Sequence, residues 1–317
     1  MPKYDKNTLT EQARKLGFVT TTFEKMTRLT EILRFINDNN ELKESLALKG
    51  GTAINLALFN LPRLSVDIDL DFTENLAKEE TRIRRDRIND LLERYMAAEG
   101  YAKHRQSKRT HILDSYVCSF INAAGNSDNI KVEINYSLRA HVLPATNITT
   151  QTPEVFAPFR VRTLTPVEIF ASKIVALSDR AAARDLYDLN SMVCFNLFDE
   201  PELKLLRKCA VFYIAVSGDV TLQGINFERI ADITAYKVKA DLHPMIRSAE
   251  RFNLQTARKR VSAFLYKWMK LTENEALFLR SFASGLYRPE LLFEEYEIIK
   301  RIENHPMVLW RLQKIQK

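Results

Sequence analysis

Hydrophobic positions along the chain change period several times, and each change predicts an element. Between residues 8 and 39, Phe23, Met26, Leu29, Ile32, Leu33 and Ile36 recur at spacings of three and four, which predicts a helix with one buried face. Residues 46–49 form a short strand-like apolar run. Gly50-Gly51 and a short apolar helix over 52–59 follow, until Asn60-Leu61-Pro62 breaks it. From 66 to 72 the period becomes two: Val66, Ile68, Leu70 and Phe72 face one way, Asp67, Asp69 and Asp71 the other. A charged helix is predicted over 78–99. Residues 101–135 read as strands joined by a turn at Gly125-Asn126-Ser127-Asp128, with Ile130, Val132 and Ile134 alternating with Lys131, Glu133 and Asn135. A strand over 160–164 runs into Thr165-Pro166-Val167-Glu168, a helix start with Thr as cap, Pro first inside and Glu three residues on. The pattern is helical almost throughout from there to Lys317. The expected class is α+β: an α/β domain with N-terminal helices over 1–165, then a helical domain over 166–317. The helix near 165–189 is expected to serve both.

Composition narrows the class. A chain of 317 residues, 46% of them hydrophobic, can bury two modest cores, which excludes disorder throughout. No apolar run approaches the roughly 20 residues a bilayer needs, so no membrane partner is expected. The opening residues lack the charged-then-apolar design of a secretion signal. Cys118, Cys194 and Cys209 stand far apart without zinc spacing, which suggests a reducing cytoplasm and buried thiols. The formal charge is +7, and it is uneven: residues 242–317 carry 14 Lys and Arg against 8 Glu. That surplus suits a polyanion such as RNA, and equally a merely soluble basic surface.

The chemistry is concentrated in the alternating strand. Residues two apart on one strand face lie roughly 6.6 Å apart, so Asp67 and Asp69 can lean toward shared divalent ions. Glu133 joins them if its strand is the neighbour. Mg²⁺ prefers such oxygen ligands, completed by phosphate oxygens and water. Without a cation, Asp67, Asp69 and Asp71 would repel one another, unless they form a solvated acidic face on an edge strand. Gly50-Gly51 favours the first reading. Glycines let a backbone approach phosphate, and a following helix N-terminus offers free N–H groups.

Taken together, Leu48-Lys49-Gly50-Gly51-Thr52-Ala53 and Arg63-Leu64-Ser65-Val66-Asp67-Ile68-Asp69-Leu70 resemble the polymerase-β-like nucleotidyltransferases. The nearer resemblance is to the AbiEii/AbiGii toxins of type IV toxin–antitoxin and abortive-infection systems, which include the MenT enzymes. Lys131-Val132-Glu133-Ile134-Asn135-Tyr136 is similar to the family's third-carboxylate strand, and Lys173-Ile174-Val175-Ala176-Leu177, Arg180 and Arg184-Asp185-Leu186-Tyr187-Asp188-Leu189 to its distal motif. Tyr287-Arg288-Pro289-Glu290-Leu291-Leu292-Phe293 and His305-Pro306 resemble the toxins' ending. The stretch from Gly51 to Asp67 is longer than in many superfamily members, as an extra loop over 60–64 would make it.

The resemblance implies a mixed sheet flanked by helices and a mostly helical C-terminal domain. It implies Mg²⁺, with Mn²⁺ as the alternative, and an NTP substrate. Gly50, Gly51, Thr52 and Ser65 would bind the triphosphate, Asp67 and Asp69 the metal, and Glu133 would complete the metal set or activate the acceptor. The implied acceptor is the tRNA 3′ end, with translation and growth blocked and a cognate antitoxin encoded nearby. Modification of a protein or small molecule, and a catalytically silent nucleotide-binding module, are the rival readings. Arg63 is a candidate phosphate contact, or else a surface arginine anchoring its loop.

On one continuous helix with Lys173 at zero, Arg180 falls near about −20°, Arg184 near +20° and Asp188 near +60°. Lys173 and Asp188 would then share a polar site, with Lys173 reaching the triphosphate. Asp185, near about 120°, would serve as a structural partner for an arginine. Both aspartates remain candidates, and for Lys173 the alternative is a surface lysine. Basic runs at Arg82, Arg84, Arg85 and Arg87, at 103–111, and at Arg258-Lys259-Arg260 could track a phosphate backbone.

Overall fold

A left-handed glycine splits the first expected helix in two. In the computed structural model, which describes residues 4–151, 156–217 and 225–315, helix α1 (Lys6–Leu16) ends at Gly17 and α2 (Thr20–Asp38) begins after it. Gly17 has φ 77°, and its N–H donates back to the carbonyls of Ala13 and Arg14. The six apolar positions foreseen on α2 are all buried. Contacts divide the chain into two units. One comprises Met1–Arg139, Ala145–Leu164 and Pro244–Glu250, the other Ala140–Pro144, Thr165–His243 and Arg251–Lys317.

In the first unit, Asn39 ends α2 and caps α3 (Asn40–Ser45), its side chain accepting from the Leu42 N–H. The chain continues as β1 (Leu46–Lys49), then α4 (Gly50–Thr52), which widens into a π-helical stretch at Ala53–Leu58. Next come β2 (Asp67–Phe72), α5 (Lys78–Ala98), β3 (Ala102–Lys103), β4 (Lys108–Arg109), β5 (Leu113–Ile121), β6 (Ser127–Asn135), β7 (Thr146–Thr149) and β8 (Arg160–Thr163). The strands lie in the order β3-β5-β6-β2-β1-β8-β7, with β4 beside β5. β2–β6 and β1–β8 are parallel and the other pairs antiparallel, so the sheet is mixed.

Alternation decides the faces. Ile68, Leu70, Ile130, Val132 and Ile134 are buried on one side and leave their charged neighbours on the other. The β5–β6 turn falls earlier than expected, at 122–126. There the Asn122 side chain accepts from the Ala124 and Asn126 N–H groups, and Gly125 takes φ 85°. Strand β7 carried too little apolar alternation to be foreseen.

The second unit is helical: α6 (Pro166–Arg180), α7 (Ala183–Cys194), α8 (Glu200–Ser217), α9 (Ala235–Lys237), α10 (Leu254–Trp268), α11 (Glu273–Ala283), α12 (Tyr296–Ile302) and α13 (Pro306–Ile315). Thr165 caps α6 as expected, accepting from the Glu168 N–H. The Glu168 carboxylate turns inward, accepting from the Leu143 N–H at 2.8 Å and the Tyr213 hydroxyl at 2.6 Å. Phe170, Phe212, Phe278 and Phe282 are fully buried. Cys118 and Cys209 are buried, but Cys194 is exposed, against the expectation for all three thiols. It lies at the end of α7, where the Arg260 guanidinium reaches its sulfur. Among the described residues no helix is long and apolar enough to cross a membrane.

Candidate active site

Register brings the foreseen carboxylates of the first unit together. β1 pairs Lys49 with Asp69, and the parallel β2–β6 ladder sets Asp67 opposite Lys131 and Asp69 opposite Glu133. Residues opposite one another share a face, so Asp67, Asp69, Lys131 and Glu133 form one charged patch. Sequence alone left open whether β2 and β6 were neighbours.

The glycine turn presses on this patch. Gly50 has φ 69°, and a Cβ built there would lie 2.5 Å from Asp69 Oδ2. A Cβ on Gly51 would lie 2.7 Å from Arg63 Nη2 and 3.0 Å from Ser65 Oγ. Gly50 is required for its conformation, and a side chain at either position would have to displace the Asp69 carboxylate or the Arg63 guanidinium. The turn, Asp69, Arg63 and Ser65 are thus one cluster. Thr52 is fully buried, and its hydroxyl donates to the Asp67 carbonyl at 2.5 Å, tying the helical turn to the start of β2. That bond commits the Thr52 side chain to the scaffold.

Arg63 is only 2% exposed, so it is not the surface anchor considered from sequence. Its guanidinium donates to the Leu64 carbonyl at 2.9 Å, and the Leu64 N–H donates to the Met245 carbonyl at 2.7 Å. The segment 60–64 is consequently held from inside the unit.

Two lysines that sequence reading passed over complete the electrostatics. Lys49 reaches Asp71 at 2.5 Å and accounts for the one β2 aspartate that is buried. Lys131 reaches Glu133 Oε2 at 2.7 Å. Burial would lower the Lys131 pKa. The hydrogen bond to Glu133 and the charges of Glu133, Asp67 and Asp69 prevail and raise it. The signal was present as Lys131-x-Glu133, two residues apart on one face, but its meaning depended on register.

Among the described residues, no three His, Cys, Asp or Glu side chains make a group able to hold a metal ion. The donor set that fits a hard cation is the pair Asp67 and Asp69, both partly exposed, because Mg²⁺ keeps waters and takes substrate phosphate oxygens alongside one or two carboxylates. Glu133 is engaged by Lys131.

In the second unit the expected helical wheel fails. The helix breaks at Ala181, which takes φ 47°, so Lys173 and Arg180 lie on α6 while Asp185 and Asp188 lie on α7. The break folds the two helices into an ion-pair cluster. Lys173 Nζ lies 2.6 Å from Asp185 Oδ1 and 3.1 Å from Asp188 Oδ2. Arg180 Nε and Nη2 donate to Asp185 at 2.7 and 2.9 Å, the structural pairing expected of Asp185. Lys173 is 7% exposed, Asp185 0% and Asp188 1%, so Lys173 is not a surface lysine. Burial alone would raise the Asp185 pKa. Lys173 and Arg180 outweigh it and hold the carboxyl well below the usual carboxylate range.

The basic runs are more occupied than sequence suggested. Arg82 pairs with Glu79 and Asp86, Arg84 with Glu74, Arg85 with Asp114 and Arg87 with Glu41. Lys103 pairs with Glu93, and Arg109 with Asp86. Arg258 instead donates to the carbonyls of Ala231 and Ile233, and Arg260 to Asn190 Oδ1.

The first unit thus carries a pair of aspartates beside a Gly-Gly turn on a mixed sheet, and the second unit is helical. The model of the family "Nucleotidyl transferase AbiEii toxin, Type IV TA system" matches residues 32–274, and the chain belongs to that family. Among solved structures, MenT4, a nucleotidyltransferase toxin from Mycobacterium tuberculosis H37Rv, is similar over 98% of both chains at 16% identity, with a TM-score of 0.63. It shares the fold. No curated protein matches in a sequence search.

Proposed function

We propose that this toxin-type nucleotidyltransferase transfers a nucleotide from an NTP to the 3′ end of tRNA in a Mg²⁺-dependent reaction, blocking translation and growth. Mn²⁺ is the alternative ion. The observation that carries the reading is the register that sets Asp69 opposite Glu133 while the Gly50 backbone lies against the Asp69 carboxylate. Asp67 and Asp69 would hold the cation. When bound, it supplies Lewis-acid activation of the phosphoryl group and stabilises the departing pyrophosphate. In this reading the triphosphate lies against the Gly50-Gly51 turn, with Ser65 and Arg63 beside it. Glu133 accepts the proton of the acceptor hydroxyl, with the Lys131 ammonium 2.7 Å from its Oε2. The reading also makes the protein cytoplasmic and gives it a cognate antitoxin.

The test incubates the purified protein with each labelled NTP, Mg²⁺, total tRNA and total cellular protein. Label in the tRNA band, abolished by Asp67→Ala, is the expected result. Label in protein or in small molecules reassigns the acceptor, and no label in any fraction makes the chain a silent nucleotide-binding module. Induction in cells should arrest growth for the wild-type chain and spare it for Asp67→Ala.

A further inference from the structure

The parallel β2–β6 ladder sets Glu133 directly opposite Asp69. Neighbouring strands lie roughly 4.8 Å apart, so the backbone would let a third carboxylate join Asp67 and Asp69 around one cation. The side chains do not take up that arrangement. Among the described residues no three His, Cys, Asp or Glu side chains converge into a group able to hold a metal ion. Glu133 turns along its own strand instead, to the Lys131 ammonium 2.7 Å from its Oε2. Register permits the third ligand, and a side-chain pairing withholds it.

The same face holds a second such pair, built differently. Lys49 reaches Asp71 at 2.5 Å, and Asp71 is only 1% exposed, so that pair is a fixed part of the core. The side chains of Lys131 and Glu133 are 41% and 24% exposed. Ions and substrate can reach them, and an ion pair that open to solvent exchanges partners at little cost. Lys131 also stands opposite Asp67 in the ladder, and the negative charges of Asp67 and Asp69 act on its ammonium. It is thus a tethered cation at the edge of the carboxylate patch, competing with any ion that would draw Glu133 in.

We propose that Lys131 is a positioning residue that keeps Glu133 out of the metal's ligand set, leaving the metal to Asp67 and Asp69 and Glu133 to the acceptor hydroxyl. A carboxylate bound to a divalent ion has its lone pairs engaged there, whereas one held through a single oxygen by an ammonium retains the other for a hydroxyl proton. A site of two carboxylates also suits an ion that keeps its waters and takes phosphate oxygens from the substrate. Taking Asp67 and Asp69 as the metal pair rests on the nucleotide-transfer reading; the pairing of Lys131 with Glu133 does not.

The test measures Mn²⁺ binding without nucleotide, from the electron paramagnetic resonance of the free ion, for the wild type and four variants, with thermal melts to show that each folds. Lys131→Met removes the charge at similar length and should bind Mn²⁺ roughly tenfold more tightly, because ligand charge count tunes the affinity of oxygen-donor sites. Lys131→Met with Glu133→Gln should return close to the wild-type affinity, since the gain comes from Glu133. Lys131→Arg, which restores a cation, should stay near wild type, and Asp67→Ala should abolish binding. Equal affinity in wild type and Lys131→Met overturns the proposal. So does a gain that survives Glu133→Gln, which would make Lys131 a source of repulsion alone, or a gain shared by Lys131→Arg. Absence of Asp67-dependent binding in both wild type and Lys131→Met overturns it as well. Transfer assays separate the two readings. A chain without transferase activity whose Asp67-dependent Mn²⁺ binding tightens in Lys131→Met would sink nucleotide transfer and leave this role of Lys131 standing. Full transfer activity with Mn²⁺ affinity indifferent to Lys131 would do the reverse.

Discussion

Gly50 is where conformation and chemistry meet in one residue. An alanine there must adopt φ 69° and place its Cβ 2.5 Å from Asp69 Oδ2, so the carboxylate has to move. The left-handed backbone costs an L-residue roughly 1–2 kcal/mol. Displacing a catalytic group by about 1 Å can cost on the order of 100-fold in rate. Gly50→Ala should therefore remain folded, melt lower, and lose at least about 100-fold in nucleotide transfer. A fully active Gly50→Ala enzyme would remove the turn from the site. The carboxylates differ from one another in the same way. Asp69 lies against the turn, whereas Glu133 is engaged by Lys131 at 2.7 Å. If Glu133 is the proton acceptor, Glu133→Gln should lower kcat by roughly 10²–10⁴ and leave the dependence on Mg²⁺ concentration unchanged. Asp69→Asn should shift that dependence to higher Mg²⁺. These residue types and their spacing were readable from sequence, since strand alternation alone aligns Asp67 with Asp69. The presence of Lys131 beside Glu133 was equally visible, but its partner on β2 was not, because register is a property of two strands.

At the scale of elements, α6 and α7 show how a local conformation changes the meaning of a motif. A continuous helix would have put Asp185 away from Lys173; the left-handed Ala181 turns α7 back so that both of its aspartates reach that lysine. A non-glycine residue at φ 47° is uncommon and carries no compositional marker, so the break could not be located from the sequence. The helices themselves were legible from their apolar periodicity and from the Thr165-Pro166 start. Removing one partner from a buried ion pair typically costs about 3–5 kcal/mol, because the remaining charge is stranded. Lys173→Ala should thus destabilise the chain by roughly that amount, measured by urea unfolding. Nucleotide affinity of the folded variant, compared with a surface Lys→Ala control, decides the separate question of the triphosphate. Equal affinities would leave Lys173 with a purely structural role. The linkage to pH has a definite sign. Asp185 has a depressed folded-state pKa, so its contribution is complete above the unfolded carboxyl value near about 3.9 and is lost as pH falls toward the lower folded value. Acid unfolding of the wild type should steepen below about pH 4, and Asp185→Asn should lose part of that dependence while being less stable at neutral pH.

For the whole molecule, the charge surplus matters less by its total than by what each cation touches. An arginine bonded to a carboxylate is neutralised, whereas one bonded to a carbonyl keeps its full charge toward solvent. By that criterion the helix α5 arginines are offset, since Arg82, Arg84, Arg85 and Arg87 all face carboxylates, most firmly at the buried Arg85–Asp114 pair. The charge of α10 is not, because Arg258 and Arg260 bond neutral groups and Lys259 is exposed. On the α10 wheel, Tyr266 falls about 20° from Lys259 and Lys267 about 80° from it, so one face carries cations beside an aromatic ring. Tyr266 is 87% exposed, which no packing requirement explains. Cations with an interleaved aromatic suit an RNA strand, through phosphate contacts and base stacking. Composition had already placed the surplus in residues 242–317, yet it weighed the α5 and α10 runs alike, because pairing partners come from distant parts of the chain. Binding of tRNA, followed by fluorescence anisotropy from 50 to 200 mM salt, tests the distinction. Lys259→Ala with Lys267→Ala should weaken binding and reduce the salt slope by about one for each phosphate no longer neutralised. Tyr266→Ala should weaken binding by roughly 1–3 kcal/mol with the slope unchanged, as stacking requires. Arg82→Ala with Arg87→Ala should leave both affinity and slope near wild type, since their carboxylate partners offset them; a weakening equal to that of the α10 lysines would assign tRNA contact to α5 instead.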